Sequence, residues 1–157
     1  MQNNFVVPKL LEKSILFGPD NRSIFVLEEK GKKWIGKNIN KKIGFTFQID
    51  KDLIKSVETK KCDKGLFLEN KDIYLVELKG VDFNTACKQL KVTLDFFKEN
   101  LGNSYTYFCR VVGKEIPKKD NYPYSYRLLL SNLHKSKISF EAKSQILEEN
   151  IERKFHF

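Results

Sequence analysis

The stretch CDKGLFLENKDIYLVELKG occupies residues 62–80 of this chain. Its two apolar runs predict strands at 62–69 and 72–79, joined by a tight hairpin through the polar pair Asn70 and Lys71. The segment that follows, VDFNTACKQLKVTLDFFKENL, has a different period. Its apolar residues recur at spacings of three and four, which predicts a helix of about five turns that begins at Asp82 as N-cap and ends at Gly102.

After this helix, another strand should pair beside the strand predicted at 72–79. Residues 105–116, YTYFCRVVGKEI, are rich in aromatic and β-branched side chains and predict a buried strand. A strand, a helix and a strand in succession imply a parallel pair with a right-handed crossover. Beyond it we expect a short helix at 122–135, a strand at 137–142, and a helix or frayed tail at 145–153.

The residues ahead of the hairpin predict further strands. Pro8 opens a short helical pattern, GPDN at 18–21 is a turn signal, and SIFVLEE at 23–29 is strand-like. IGFTFQID at 43–50 alternates as a half-buried strand does, and a further short strand is expected near 53–57. Together these elements predict a single α/β domain spanning 1–157, with a mixed central β-sheet flanked by helices.

The lysine-rich segment EKGKKWIGKNINKK, at 29–42, surrounds Trp34, the one tryptophan of the chain. Its polar residues and glycines predict a hairpin connection or a mobile loop. Two roles are open for Trp34: it either packs on the sheet or stacks on a nucleic-acid base, with the lysines contacting phosphates.

The bulk composition limits where the protein acts and what it binds. Lys and Arg number 29 against 20 Asp and Glu, a formal net charge of +9, which fits either a polyanionic partner or a lysine-rich surface kept for solubility. No apolar run approaches the ~20 residues that cross a bilayer, and the start shows no secretory signal, so a cytoplasmic protein is expected. The three cysteines lack CxxC spacing and should be buried reduced thiols.

Glu77 and Lys79 are two residues apart at the end of the second hairpin strand, so their side chains share one face of it. Folding the hairpin brings Asp63 opposite 77–79, to within about one residue of register. Strand neighbours lie roughly 5 Å apart, so Asp63 and Glu77 could share one Mg²⁺ at about 2.1 Å per ligand. With Lys79 orienting or deprotonating water, such a site would hydrolyse a phosphodiester.

Glu-x-Lys triplets recur in this lysine-rich chain, and the closest rival is Glu141 to Lys143. The triplet at Glu77 differs because a strongly apolar strand precedes it and a capped helix follows it. The alternative for Glu77 and Lys79 is a surface ion pair on an edge strand, which contributes at most about 1 kcal/mol.

Asp63, Glu77 and Lys79, with the helix that follows, resemble the PD-(D/E)xK nuclease superfamily over residues 62–101. The resemblance implies a restriction-endonuclease-like core, Mg²⁺ for which Mn²⁺ could substitute, and a main-chain carbonyl of Leu78 facing the metal. The run ELKG followed by a helix is also similar to small nuclease-like proteins that carry a helical glutamine, here Gln89. Cys62 stands where the superfamily pattern has proline, and the literal Pro19-Asp20 pair lies too far ahead of Glu77 for one hairpin.

Additional candidates surround this constellation. Glu12 and Asp50 are further candidate metal ligands, and lysines that flank the site are expected to contact nucleic acid: Lys60, Lys61, Lys64, Lys88, Lys114, Lys118 and Lys119. We therefore expect an endonuclease that acts on DNA, with RNA as the open alternative, and no membrane partner. A catalytically silent nucleic-acid-binding or assembly module stays open, as do a homodimer and a subunit active only with a partner.

Overall fold

The computed structural model describes residues 5–49, 62–78, 82–102, 104–131 and 138–151. These residues form nine strands, two α-helices and two short 3₁₀ helices, at Lys9–Ser14 and Lys119–Asn121. The strands are β1 (Ile15–Asp20), β2 (Ile24–Glu29), β3 (Lys32–Lys37), β4 (Gly44–Gln48), β5 (Lys64–Leu68), β6 (Asp72–Glu77), β7 (Thr106–Gly113), β8 (Ile138–Ser144) and β9 (Ile146–Asn150). The helices are α1 (Phe83–Leu101) and α2 (Tyr124–Ser131).

The larger sheet has six strands in the order β1-β4-β5-β6-β7-β8. The pairs from β1 to β6 are antiparallel, whereas β6, β7 and β8 run parallel. The predicted α/β class, the mixed sheet and the parallel pair around a helical crossover are thus confirmed. The carboxyl ends of β6 and β7 lie at the same edge of the sheet because these strands are parallel.

The β5–β6 hairpin and α1 form where the sequence predicts them. Lys64 pairs with Val76 and Phe67 with Ile73, and the turn between the strands places Lys71 at φ 67°. Asp82 caps α1 by accepting a hydrogen bond from the Thr85 backbone N–H at 2.9 Å.

Two apolar layers cover the two faces of the large sheet. On one face, α1 and α2 pack against β4, β6 and β7 through side chains that include Phe47, Leu75 and Leu94. On the other face lies a three-stranded sheet, β2-β3-β9, whose Trp34 packs on Tyr74 with ring centroids 5.1 Å apart. In the described residues the helices therefore cover one face only, which corrects the predicted sheet flanked by helices.

Trp34 is fully buried in β3, so it packs on the sheet and cannot stack on a base. The predicted loop at 29–42 is wrong for the six residues of β3, although the connection from β2 to β3 is a hairpin as expected. The sequence does not indicate this strand because lysines dominate its composition. The Lys33 and Lys37 side chains reach solvent and pair with Glu28 and Glu148.

Three further predictions fail because tertiary pairing overrides local signals. GPDN does not form a separate turn: Gly18 to Asp20 belong to β1, whose pairing with β4 is irregular. The predicted helix or tail at 145–153 contains β9, which pairs in parallel with β3. The strand β4 is buried on both faces, since Thr46 is only 2% exposed, instead of half-buried.

The remaining predictions have mixed outcomes. Cys62, Cys87 and Cys109 are reduced and buried, as expected. The strand expected at 53–57 falls outside the described residues. No helix in the described ranges is long and apolar enough to cross a membrane.

Candidate functional site

The open end of the β5–β6 hairpin brings Asp63 beside Glu77. Asp63 directly precedes β5, and its backbone N–H donates to the Val76 carbonyl at 3.2 Å. The Ile49 backbone N–H, at the end of β4, donates to the Asp63 carbonyl at 3.1 Å. Three neighbouring strand ends thus fix the Asp63 backbone next to the last residue of β6.

The Asp63 carboxylate is oriented by the chain that leaves β6. The Leu78 backbone N–H donates to Asp63 Oδ2 at 2.8 Å, a buried hydrogen bond to a charged acceptor. A carboxylate offers two oxygens, and this bond fixes the position of one of the two. The predicted register of Asp63 opposite 77–79 agrees with this contact.

Glu77 lies on the α1 side of the sheet. Alternation along β6 places it on the face of Ile73 and Leu75, which belong to the apolar layer under α1. Asp63 is 2% exposed and Glu77 is 0% exposed, so two carboxylates are removed from water at one strand end. Buried charges are costly unless other groups or a cation compensate them.

Burial and nearby negative charge both act on the Cys62 thiol. Its pKa lies well above the ordinary value, first because the thiol is buried and next because of the negative charge of Glu77, with a smaller contribution from Asp63. Cys62 belongs to the apolar layer under α1. The charges of both carboxylates therefore act on the Cys62 thiol, which is buried between β5 and α1.

Helix α1 is tied to the same place by Thr93. The Cys62 backbone N–H donates to Thr93 Oγ1 at 3.0 Å, and Thr93 Oγ1 donates to the Gln89 carbonyl at 2.8 Å. Gln89 is 4% exposed, and within the described part of the chain its side-chain Oε1 has no hydrogen-bond partner. A buried amide oxygen of this kind is a position where a ligand, water or ion is expected.

The donor set suits a hard divalent cation. The two carboxylates supply oxygen atoms, the ligands that Mg²⁺ prefers, and Mg²⁺ usually retains several waters. Across the described ranges, no three side chains of His, Cys, Asp or Glu converge as a metal-binding group. Mg²⁺ would therefore depend on Asp63, Glu77, water and the main-chain carbonyl of Leu78 that the superfamily resemblance implies.

Comparisons with protein-family models, curated proteins and solved structures find no match. What can be said about this site therefore comes from the chain's own geometry.

Four of the predicted site residues lie outside the described residues: Lys79, Asp50, Lys60 and Lys61. Glu12 is exposed on the 3₁₀ helix Lys9–Ser14, in contrast to the buried Asp63 and Glu77.

The lysines that were predicted to contact nucleic acid and that the structure describes fall into two groups. Lys64 Nζ donates to the Glu28 carbonyl at 2.8 Å, so it points toward β2, on the face opposite α1. Lys114 follows the carboxyl end of β7, at the same edge of the sheet as Glu77, and is exposed. Lys118 and Lys119 continue that exposed segment, and Lys88 is exposed on α1. Four of the predicted lysines are thus exposed to solvent, whereas Lys64 is turned toward β2.

A buried charged cluster on the opposite face was not predicted. Arg110 and Glu149 form a two-point ion pair, with Nε–Oε2 at 2.7 Å and Nη2–Oε1 at 3.0 Å, and the Trp34 indole N–H donates to Glu149 at 2.7 Å. Arg110 also donates to the Ser139 carbonyl at 3.0 Å. The one signal in the sequence is an arginine inside the apolar run YFCRVV. Because its partners are satisfied within the fold, this cluster holds β9 and β3 against β7.

Proposed function

We propose that this protein is a Mg²⁺-dependent endonuclease that hydrolyses phosphodiester bonds of nucleic acid, with DNA as the first candidate substrate and RNA as the second. The observation that carries the proposal is the pair of buried carboxylates, Asp63 and Glu77, side by side at the end of the β5–β6 hairpin under α1. A restriction-endonuclease-like core is part of the proposal, supported by the succession of hairpin, α1 and parallel strand β7.

Each residue has a distinct task in this proposal. Asp63, Glu77 and the Leu78 carbonyl would hold the ion, and Mg²⁺, when bound, polarises a phosphate oxygen and makes water a better nucleophile. Leu78 N–H fixes the Asp63 carboxylate in place. Lys79 would orient or deprotonate the attacking water, and the buried amide of Gln89 would hydrogen-bond a group that enters beside Cys62 and Thr93.

Exposed lysines support a phosphate-rich substrate. Lys88, Lys114, Lys118 and Lys119 are exposed, Lys114 follows the strand end next to that of Glu77, and the chain carries a formal net charge of +9. Lysine contacts to phosphates give binding that weakens as salt rises.

A catalytically silent nucleic-acid-binding or assembly module is the second candidate. The exposed lysines and the formal net charge of +9 favour it equally, because they would bind nucleic acid whether or not the chain cleaves it. Such a module would bind nucleic acid without turnover or metal dependence. A subunit that is active only with a partner, or as a homodimer, would show cleavage only in that assembly.

The test is cleavage by the purified protein. Single-stranded, duplex and branched DNA and RNA are incubated with Mg²⁺ or Mn²⁺, and EDTA is added to parallel samples. We expect a product that requires the metal and is lost in Asp63→Asn and Glu77→Gln, with circular dichroism confirming that both variants fold. Glu28→Gln is the matched control, since Glu28 begins another Glu-x-Lys triplet but is about half exposed and faces Lys33.

Three outcomes would contradict the nuclease proposal. One is a product that Glu77→Gln forms at the rate of the unaltered protein. Another is metal-independent binding with no product from any substrate, which would support the silent module. A third is a metal-dependent product that Glu28→Gln loses as fully as Glu77→Gln, which would place the chemistry elsewhere.

A further inference from the structure

A groove of about 260 Å³ lies between α1 and α2. Six residues line it: Asn84, Lys88, Lys91, Tyr124, Ser125 and Leu128. Its α1 wall extends from residue 84 to residue 91, about 10 Å at 1.5 Å per residue. That length corresponds to roughly three nucleotides at 3.4 Å each, and it is far too small to enclose a duplex.

The α1 wall of the groove is basic. Lys88 and Lys91 are three residues apart on one helix, so both side chains project from the same face. Lys91 Nζ pairs with Asp95 at 2.8 Å, and this lysine side chain is still one-third exposed. Asp82 is the other acid near Lys88, and its pKa is lowered mainly by hydrogen bonds from Thr85 and only slightly by that lysine.

The α2 wall presents an exposed aromatic ring. Tyr124 is 70% exposed, one of the most exposed large side chains in the described residues, and Leu128 follows one helical turn later at 38%. Their exposure is not a sign of loose packing, because α2 is fixed to α1 beneath them. Ser125, which is 6% exposed, donates to Asn84 Oδ1 at 2.5 Å and to the Asn84 carbonyl at 3.3 Å.

An exposed aromatic ring opposite two lysines is an arrangement that binds an unpaired nucleic-acid strand. Bases of a single strand can stack on a side-chain ring while lysines contact the phosphates, whereas bases inside a duplex have no free face. An acidic peptide would use the lysines but would not need the ring face. The combination therefore favours a single strand.

We infer that the α1–α2 groove binds an unpaired segment of nucleic acid, with Tyr124 stacking on a base and Lys88 and Lys91 contacting phosphates. This inference rests on the proposed function for the class of partner, and it specifies the substrate as single-stranded, frayed or flapped. Helix α1 carries the groove on one side and Gln89 and Thr93 on the other, so a strand in the groove lies one helix width from Asp63 and Glu77.

The experiment is fluorescence anisotropy in EDTA, which separates binding from cleavage. The probes are a labelled oligothymidylate, a blunt duplex of the same length and a labelled poly-glutamate peptide. Tyr124→Ala is expected to weaken binding of the single strand by about 5- to 100-fold, the loss typical of one stacked base, and to change duplex binding by less than about 2-fold. Lys88→Ala should reduce the slope of log affinity against log salt by about 0.7, the value for one phosphate contact to a single strand.

Matched controls come from the opposite side of the molecule. Phe17, on β1, is 62% exposed, and Lys37, on β3, is about half exposed and ion-paired to Glu148 as Lys91 is to Asp95. Phe17→Ala and Lys37→Ala should bind the single strand like the unaltered protein.

The inference is overturned if Tyr124→Ala binds the single strand as tightly as Phe17→Ala does. It is also overturned if the oligothymidylate does not bind, or if the acidic peptide binds more tightly and depends on Tyr124. Cleavage lost in Glu77→Gln together with unchanged binding by Tyr124→Ala would remove this inference alone. Tyr124-dependent binding without any metal-dependent cleavage would remove the nuclease proposal alone.

Discussion

Replacing Glu149 by Gln should destabilise the protein severely, because it removes the close counter-charge of the buried Arg110 guanidinium and leaves only the partly exposed Glu141 carboxylate, 4.0 Å from Arg110 Nε. Arg110 is 0% exposed, and both oxygens of Glu149 accept hydrogen bonds from it. Removing one partner of a buried ion pair costs about 3–5 kcal/mol, a large share of the roughly 5–15 kcal/mol by which a domain is stable. With a urea dependence of about 2 kcal/mol per molar, the unfolding midpoint should fall by roughly 1.5–2.5 M.

Glu148→Gln is the matched control for this prediction. Glu148 is the preceding residue of β9, but its carboxylate is about half exposed and pairs with Lys37 at 3.1 Å. An exposed pair contributes at most about 1 kcal/mol, so the urea midpoint should fall by less than about 0.5 M. Equal midpoints for Glu149→Gln and Glu148→Gln would refute the placement of β9 against β7. The double variant Arg110→Met with Glu149→Leu should lose less stability than Glu149→Gln, because it leaves no unpaired buried charge.

Three other predictions concern the hairpin and α1. Gly65→Ala should lower the free energy of unfolding by about 1–3 kcal/mol in urea titrations, since the added Cβ would lie 2.3 Å from the Phe47 ring; an unchanged midpoint would contradict this packing. Asp82→Ala should cost about 1 kcal/mol at neutral pH through loss of the helix cap. Hydrogen bonds from Thr85 lower the pKa of Asp82 below its ordinary 3.8. The stabilisation by the cap is therefore present above that pH and is lost as the pH falls through the folded-state pKa. A difference in free energy of unfolding between Asp82→Ala and the unaltered protein that persists at lower pH would count against the cap. Cys62 should resist iodoacetamide at pH 8 in the folded protein and react in urea, because burial first and nearby carboxylate charge second raise its pKa; rapid labelling without urea would contradict its burial.

Local patterns were sufficient to predict the centre of the molecule. The β5–β6 hairpin, the Asp82 cap and the α1 stripe depend on residues close together in sequence. The aromatic and β-branched residues of β7 predict a strand, and the order strand, helix, strand predicts that it pairs in parallel with β6. The hairpin also predicts that Asp63 lies beside Glu77, because a tight turn leaves little freedom in how its two strands pair.

The place of β9 in the second sheet could not be predicted because its pairing with β3 is long-range. β9 pairs with β3, and the residues that join them, Trp34 and Glu149, are 115 positions apart. The sequence ILEEN gives no local strand signal, since Glu149 is acidic yet buried, and its burial makes sense only beside Arg110. The local sequence therefore favoured a helix or tail at 145–153. The strand forms there because Glu149 pairs with Arg110, which is distant in sequence.

The candidate site shows a similar division. The pairing of Asp63 with Glu77 follows from the hairpin, but the orientation of Asp63 by Leu78 N–H and the link from Cys62 to Thr93 require the tertiary structure. The direction of Lys64, toward the carbonyl of Glu28 and away from α1, likewise depends on the second sheet.

The most direct test of the metal site is Mn²⁺ binding followed by electron paramagnetic resonance, which requires no knowledge of the substrate. The account predicts that the unaltered protein and Glu28→Gln bind one Mn²⁺, that excess Mg²⁺ displaces it, and that folded Asp63→Asn and Glu77→Gln lose it. Unaltered protein that binds no Mn²⁺, or folded Glu77→Gln that binds it equally tightly, would contradict the assignment of Asp63 and Glu77 as metal ligands.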